Sequence, residues 1–178
     1  MTVKSHNFWL NEEELKTPIH DSMVLETFKN CREIMSELSI SWEIELDNET
    51  VGIKEEIEKI IEYPLKGYNG FNLGYLDLMC IFKIRNGCFK DNSYQDNPYL
   101  RLVGFEIKPA VKSIGEVLRQ FQYYKSNLPK TTKLILVTKT KGLKDIFESQ
   151  GFYVWEMEEK DGKTETFKKE SKNLKVSK

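Results

Sequence analysis

The chain has 178 residues, 39% of them hydrophobic and 31% charged, the make-up of one soluble globular domain large enough to bury its own core. No apolar run reaches membrane-spanning length and the N-terminus carries no signal-peptide pattern, so a cytoplasmic location with no membrane partner is expected. Three cysteines without a Cys-x-x-Cys pair, and two histidines, support neither a zinc site nor a disulfide framework, and Cys31 and Cys80 are expected to fill core. The net charge of −1 argues against a protein that coats nucleic acid indiscriminately. Its distribution is uneven. Residues 1–62 hold 6 Lys and Arg against 15 Asp and Glu, whereas residues 63–178 hold 21 against 13, so any polyanion should meet the second part, although a Lys-rich tail accounts for some of the excess.

Residues 1–16 form a polar arm with Phe8-Trp9-Leu10 as a docking patch, 17–159 a single domain, and 160–178 a Lys-rich tail without apolar periodicity. Thr17-Pro18 opens a helix, with Pro at the first helical position. Val24, Phe28, Cys31, Met35 and Leu38 then recur at helical spacing, which marks an amphipathic helix covering a sheet. Ile40 to Leu46 alternates as a strand, and Ile53, Ile57, Ile60 and Ile61 predict a short helical segment over 53–61. Ile61 to Leu65 reads as a strand and Lys66 to Gly70 as a hairpin turn. Leu73 to Phe82 is a further strand, and Lys83 to Pro98 a polar, turn-rich connection. In that connection Lys83, Arg85, Lys90, Phe89 and Tyr94 suit either a nucleic-acid contact or a plain mobile hairpin.

Leu100 to Lys108 reads as a strand closed by Pro109, on which Glu106 and Lys108 share a face. Ser113, with Glu116 in capping-box spacing, opens a helix. Its apolar arc is Ile114, Val117, Leu118 and Phe121, and Glu116, Gln120 and Tyr124 make an adjacent stripe. Lys133 to Thr138 is an apolar strand, Leu143 to Gln150 a helix ended by Gly151, and Phe152 to Glu156 a last strand. Strand, helix, strand, helix, strand in this half implies an α/β fold with a mixed central sheet flanked by helices.

Asp77 is the one charge in its strand, where an ionised carboxylate needs a donor, a cation or a proton. If that strand pairs with the Glu106 strand, two carboxylates and an ammonium converge, an arrangement suited to a divalent cation. The bland alternatives are an Asp in a turn after Gly74 and a solvated Glu-x-Lys couple.

Asp77, then Glu106-Ile107-Lys108, then Gln120-x-x-x-Tyr124 resembles the PD-(D/E)XK nuclease superfamily, in particular its branch with a Gln-x-x-x-Tyr motif, as in RecB-type and lambda-exonuclease-like nucleases. The resemblance covers roughly residues 62–155. It implies a restriction-endonuclease-like core and a metal-dependent nuclease acting on DNA. Asp77, Glu106 and the Ile107 carbonyl would hold Mg²⁺ or Mn²⁺, Lys108 would orient or deprotonate the attacking water, and Gln120 and Tyr124 would brace the site. Glu26, Glu33 and Glu62 are the candidates for a further, accessory acid, Glu62 the better of them, and solvated glutamates with no role are the alternative. A catalytically silent nucleic-acid-binding or assembly module, and an RNA-processing nuclease, are the alternatives on the same fold, and a homodimer is left open. As the lone charge among apolar neighbours, Asp77 should be replaceable by Ala with no loss of stability.

Overall fold

The computed structural model of the chain describes residues 18–40, 52–67, 70–88, 93–94 and 98–158. The Phe8-Trp9-Leu10 patch, residues 41–46 of the strand expected over 40–46, Phe89, Lys90 and the Lys-rich tail lie outside them. Strands β1 (Gly52–Lys66), β2 (Asn72–Cys88), β3 (Ser93–Tyr94), β4 (Tyr99–Lys108), β5 (Lys133–Thr138) and β6 (Tyr153–Glu156) form one sheet in the order β1-β2-β4-β5-β6, with β3 paired to β2. The β1–β2 and β2–β4 pairs are antiparallel, and β4–β5 and β5–β6 are parallel. This is the mixed α/β sheet expected.

Helix α1 (Pro18–Glu37) covers one face of the sheet, and α2 (Ile114–Asn127) and α3 (Lys144–Glu148) the other. Pro18 opens α1, where its missing N–H costs nothing. Val24, Cys31, Ile34 and Met35 are buried against the even residues Leu78 to Ile84 of β2 and against Val103, Phe105 and Ile107 of β4. Ser113 caps α2 by accepting a hydrogen bond from the Glu116 amide, and Val117 and Phe121 pack with Leu134, Leu136, Phe147 and Phe152. Cys31 and Cys80 both fill core as expected. No helix among the described residues is long and apolar enough to cross a membrane.

Two expectations are corrected. The segment 53–61 is not helical but the inner half of β1, hydrogen-bonded along β2. Its isoleucines at i, i+4, i+7 and i+8 imitate a helix because Lys59 stands on the helix-facing side of the strand between Ile57 and Ile61. Its ammonium reaches across to the Phe28 carbonyl and lies over the Phe28 ring. In the polar connection from Lys83, residues 83–88 and 93–94 are strand: β2 runs on to Cys88 and pairs there with β3. Charged residues suit this stretch because it forms a ladder at the open end of the sheet, with Lys83 paired to Glu58 across the strands.

The β1–β2 ribbon has one irregularity that positions the site. In β1, Ile57 and Ile61 face α1, whereas Tyr63 and Leu65 face α2. In β2, Leu78 faces α1 but Leu76, two residues earlier, faces α2. Residues two apart in a regular strand share a face, so both strands change parity at one level, that of Glu62 and Asp77. Glu62 lies between the Ile61–Leu78 and Tyr63–Leu76 pairs and has φ 52°, the left-handed region that costs a non-glycine residue free energy. Leu76 is thereby carried over Gly104, where a Cβ would collide with Leu76 and Leu134.

Candidate active site at the splayed ends of two strands

Regular pairing of β2 with β4 ends at Leu78–Phe105. One residue further on stand Asp77 and Glu106, where the strands part. The Asp77 side chain fills the gap: its Oδ2 accepts a 2.7 Å hydrogen bond from the Ile107 amide, which a continuing ladder would have given to a β2 carbonyl. Losing that acceptor would leave a strand amide unpaired, so the expectation that Asp77→Ala spares stability is corrected.

Glu106 lies on the α2 face and is 2% exposed. Its Oε1 is 2.6 Å from the Lys108 ammonium and accepts a 2.8 Å bond from the Gln120 amide, while Oε2 accepts a 3.1 Å bond from the Tyr124 hydroxyl. Gln120 also donates to the Tyr124 oxygen, and that hydroxyl lies 3.3 Å from the Tyr75 carbonyl. Helix spacing makes this set: Gln120 and Tyr124, four apart, stack on one face of α2 above the carboxylate. Glu116, first of the stripe, is exposed and outside the network. Tyr124 does double duty, since its ring is buried with Phe121 and belongs to the apolar core as well.

Burial pushes the Glu106 carboxyl above its usual range and the Asp77 charge pushes it further, against the pull of Lys108 and Tyr124. Burial, and then the Glu106 charge, raise the Tyr124 hydroxyl too. The Asp77 charge thus bears on Glu106, and Ile107, whose amide holds Asp77, directly follows Glu106 in the chain.

The structure adds a residue that sequence reasoning missed. His20, in the first turn of α1, places Nε2 3.4 Å from Asp77 Oδ1, and its Nδ1 lies 3.1 Å from Asp21. Its pKa is raised to about 9, first by the bond to Asp77 and then by Asp21, with burial opposing. The signal was present, because His20 stands four residues before Val24 and so extends the stripe of α1 that faces the sheet.

The three candidate accessory acids fare differently. Glu33 is exposed and thirteen residues past His20, about 20 Å along the helix axis. Glu26 is half-buried, six residues past His20, about 9 Å along it. Glu62 stands opposite Asp77 across the ribbon with its side chain exposed.

No family model matches the sequence, and no curated protein matches it. Among solved structures, the chain is similar to the crystal structure of a repair endonuclease from Pyrococcus abyssi, with 18% identity and a TM-score of 0.38. The alignment covers 86% of this chain and 50% of that one, so this chain spans about half that protein's length.

Proposed function

We propose that this chain, as a restriction-endonuclease-like core, hydrolyses phosphodiester bonds in DNA with the help of Mg²⁺ or Mn²⁺. The observation that supports the reading best is a buried glutamate tied at once to Lys108, Gln120 and Tyr124 and facing Asp77 across a strand splay. A carboxylate is buried at that cost only where its charge is used or compensated. The donor set suits a hard divalent cation: two carboxylates whose repulsion already burdens Glu106, with the Ile107 carbonyl next after Glu106 in sequence. When bound, such a cation supplies Lewis acidity toward the phosphate.

The other groups act on their own account. Lys108, 34% exposed at the rim, has one side against Glu106 and the other free to orient the attacking water or neutralise charge on the phosphate. Gln120 and Tyr124 fix the rotamer of Glu106, and His20 and the Ile107 amide hold the two oxygens of Asp77.

A second reading, a catalytically silent nucleic-acid-binding or assembly module, is favoured by one observation. Both carboxylates already have partners, and among the described residues no group of three or more His, Cys, Asp or Glu is gathered to hold a metal ion. Incubating plasmid DNA and an RNA with the protein in Mg²⁺, in Mn²⁺ and in EDTA separates the readings. Metal-dependent DNA cleavage is expected. Cleavage of RNA alone would move the protein to RNA processing, and binding without cleavage of either would establish the silent module.

A further inference from the structure

Strands β4, β5 and β6 run parallel, so their C-terminal ends lie along one edge of the sheet, with Lys108 beside Thr138 and Thr138 beside Glu156. The candidate site occupies the β4 end of that edge. Two turns leave it, residues 109–113 into α2 and residues 139–143 into α3, and both helices lie on the face from which Glu106 and Lys108 project. The turns are laced together. The Lys139 amide donates to the Pro109 carbonyl at 3.4 Å, the Val111 amide to the Thr140 hydroxyl at 2.9 Å, and the Thr140 amide to the Thr138 hydroxyl at 3.1 Å. The edge is therefore a built shelf rather than a pair of independent loops.

Its charge is one-sided. Residues 108–113 and 139–144 include Lys108, Lys112, Lys139, Lys141 and Lys144 and no acidic residue. Lys141 reaches the Glu156 and Met157 carbonyls at 3.3 Å each, neutral acceptors that fix the ammonium without cancelling its charge. Lys112 is exposed, and Lys144, 60% exposed, meets Glu148 at 3.8 Å, where a surface pair contributes little. Of the acids nearest in the chain, Glu156 gives Oε1 to the Leu143 amide at 3.1 Å, and Glu116 and Asp145 lie beyond the turns, in α2 and α3.

We propose that this shelf carries the phosphate backbone of DNA away from the scissile bond, across the ends of β4, β5 and β6, without reading its bases. The proposal rests on the phosphodiester chemistry proposed above and extends the same site. Continuity favours this occupant: a phosphate at Lys108 belongs to a row of like charges, and the row is met by further cations along the edge. Neighbouring strands are about 4.8 Å apart, so β4 to β6 spans about 10 Å, over which one strand of a duplex places about three phosphates. A protein partner would call for apolar side chains at the centre of the contact, and neither turn exposes a large one. Lysines and short polar side chains are what backbone-positioning contacts use.

The test measures binding of the full chain, in EDTA so that nothing is cut, to a labelled DNA duplex and to a duplex of equal length containing abasic sites, over a range of salt concentrations. Lys112→Gln with Lys144→Gln should lower affinity for both duplexes alike, about 10-fold or more at low salt, and reduce the slope of log affinity against log salt by about two. Lys112→Arg with Lys144→Arg should keep the parental values. Lys125→Gln with Lys130→Gln removes the same charge around the far end of α2 and should leave the slope unchanged.

An unchanged slope in the first pair, an equal loss in the far pair, or a loss confined to the base-bearing duplex would overturn the proposal. Phosphatidylserine vesicles or polyglutamate, bound by the parent and released by the first pair while DNA is held as before, would make the edge a lipid or protein contact instead. The nuclease reading fails separately. A chain that holds DNA through these lysines yet cuts nothing in Mg²⁺ or Mn²⁺ keeps the shelf, while one that cuts DNA with the salt slope unaffected by the first pair keeps only the nuclease.

Discussion

The two carboxylates of the site are held in opposite ways. Glu106 is enclosed, and every side chain on it comes from the next eighteen residues of the chain: Lys108 from the same strand, Gln120 and Tyr124 from the helix that follows. Asp77 is more open and is held from afar, by His20 of α1, 57 residues earlier, and by the Ile107 amide of β4, 30 residues later. Glu106 is a rigid, locally built wall. Asp77 is the point at which three distant segments meet, so damage there should reach both the fold and the chemistry.

The largest effect should follow from replacing Asp77. Asp77→Ala removes a charge and orphans the Ile107 amide, so Mn²⁺ binding should vanish in titration calorimetry and stability should fall by about 1–3 kcal/mol. Asp77→Asn keeps an acceptor for that amide, so it should lose the metal but little stability. Equal melting temperatures for the two variants would show that the bond to Ile107 contributes nothing. Lys108→Ala touches only the Glu106 side: cleavage should drop by ~10²-fold or more while Mn²⁺ affinity is retained. A variant that cuts at the parental rate would remove Lys108 from the chemistry.

These two carboxylates also explain what the residue pattern revealed and what it hid. Glu106, Lys108, Gln120 and Tyr124 were found together because strand alternation and helix spacing fix their relations within a short stretch. The partners of Asp77 depend on which strands pair and where α1 lies, relations that no local periodicity encodes, and so His20 went unnoticed although it continues the buried stripe of its helix. The same limit explains β1. Its isoleucine spacing fits a helix as well as a strand, and only its pairing with β2 decides.

Smaller effects should divide the Glu106 wall into its parts. Tyr124→Phe keeps the ring packed against Phe121 and removes the bond to Glu106, so it should cost about 1 kcal/mol and lower the melting temperature by a few degrees. Gln120→Ala should weaken turnover while its thermal midpoint stays within a few degrees of the parent, since a half-buried amide contributes at most ~1 kcal/mol. Full nuclease activity in Gln120→Ala would leave that side chain without a role.

The smallest change, and the one opposite in sign, belongs to Glu62. Glycine accepts φ 52° without the penalty that a side chain incurs, though it loses more chain entropy on folding, so Glu62→Gly should raise stability by only about 0.5 kcal/mol, whereas Glu62→Val should lower it. A thermal melt in which Glu62→Gly is the less stable protein would show that the left-handed turn of the ribbon carries no strain.

The parity change in the ribbon also bears on how the molecule melts. Because Leu78 to Ile84 of β2 alternate between the α1 core and the α2 core, where Met79 and Ile81 lie, and the ribbon beyond Glu62 and Asp77 adds Tyr63, Leu65 and Leu76 to the α2 core, one pair of strands walls both layers. Neither layer can come apart while the other stays closed, and unfolding should be a single cooperative transition with calorimetric and van't Hoff enthalpies equal. Asp77 sits at the crossover, so its contacts with His20 and Ile107 should persist until the whole domain opens, and their protection from hydrogen exchange should approach that of the global transition.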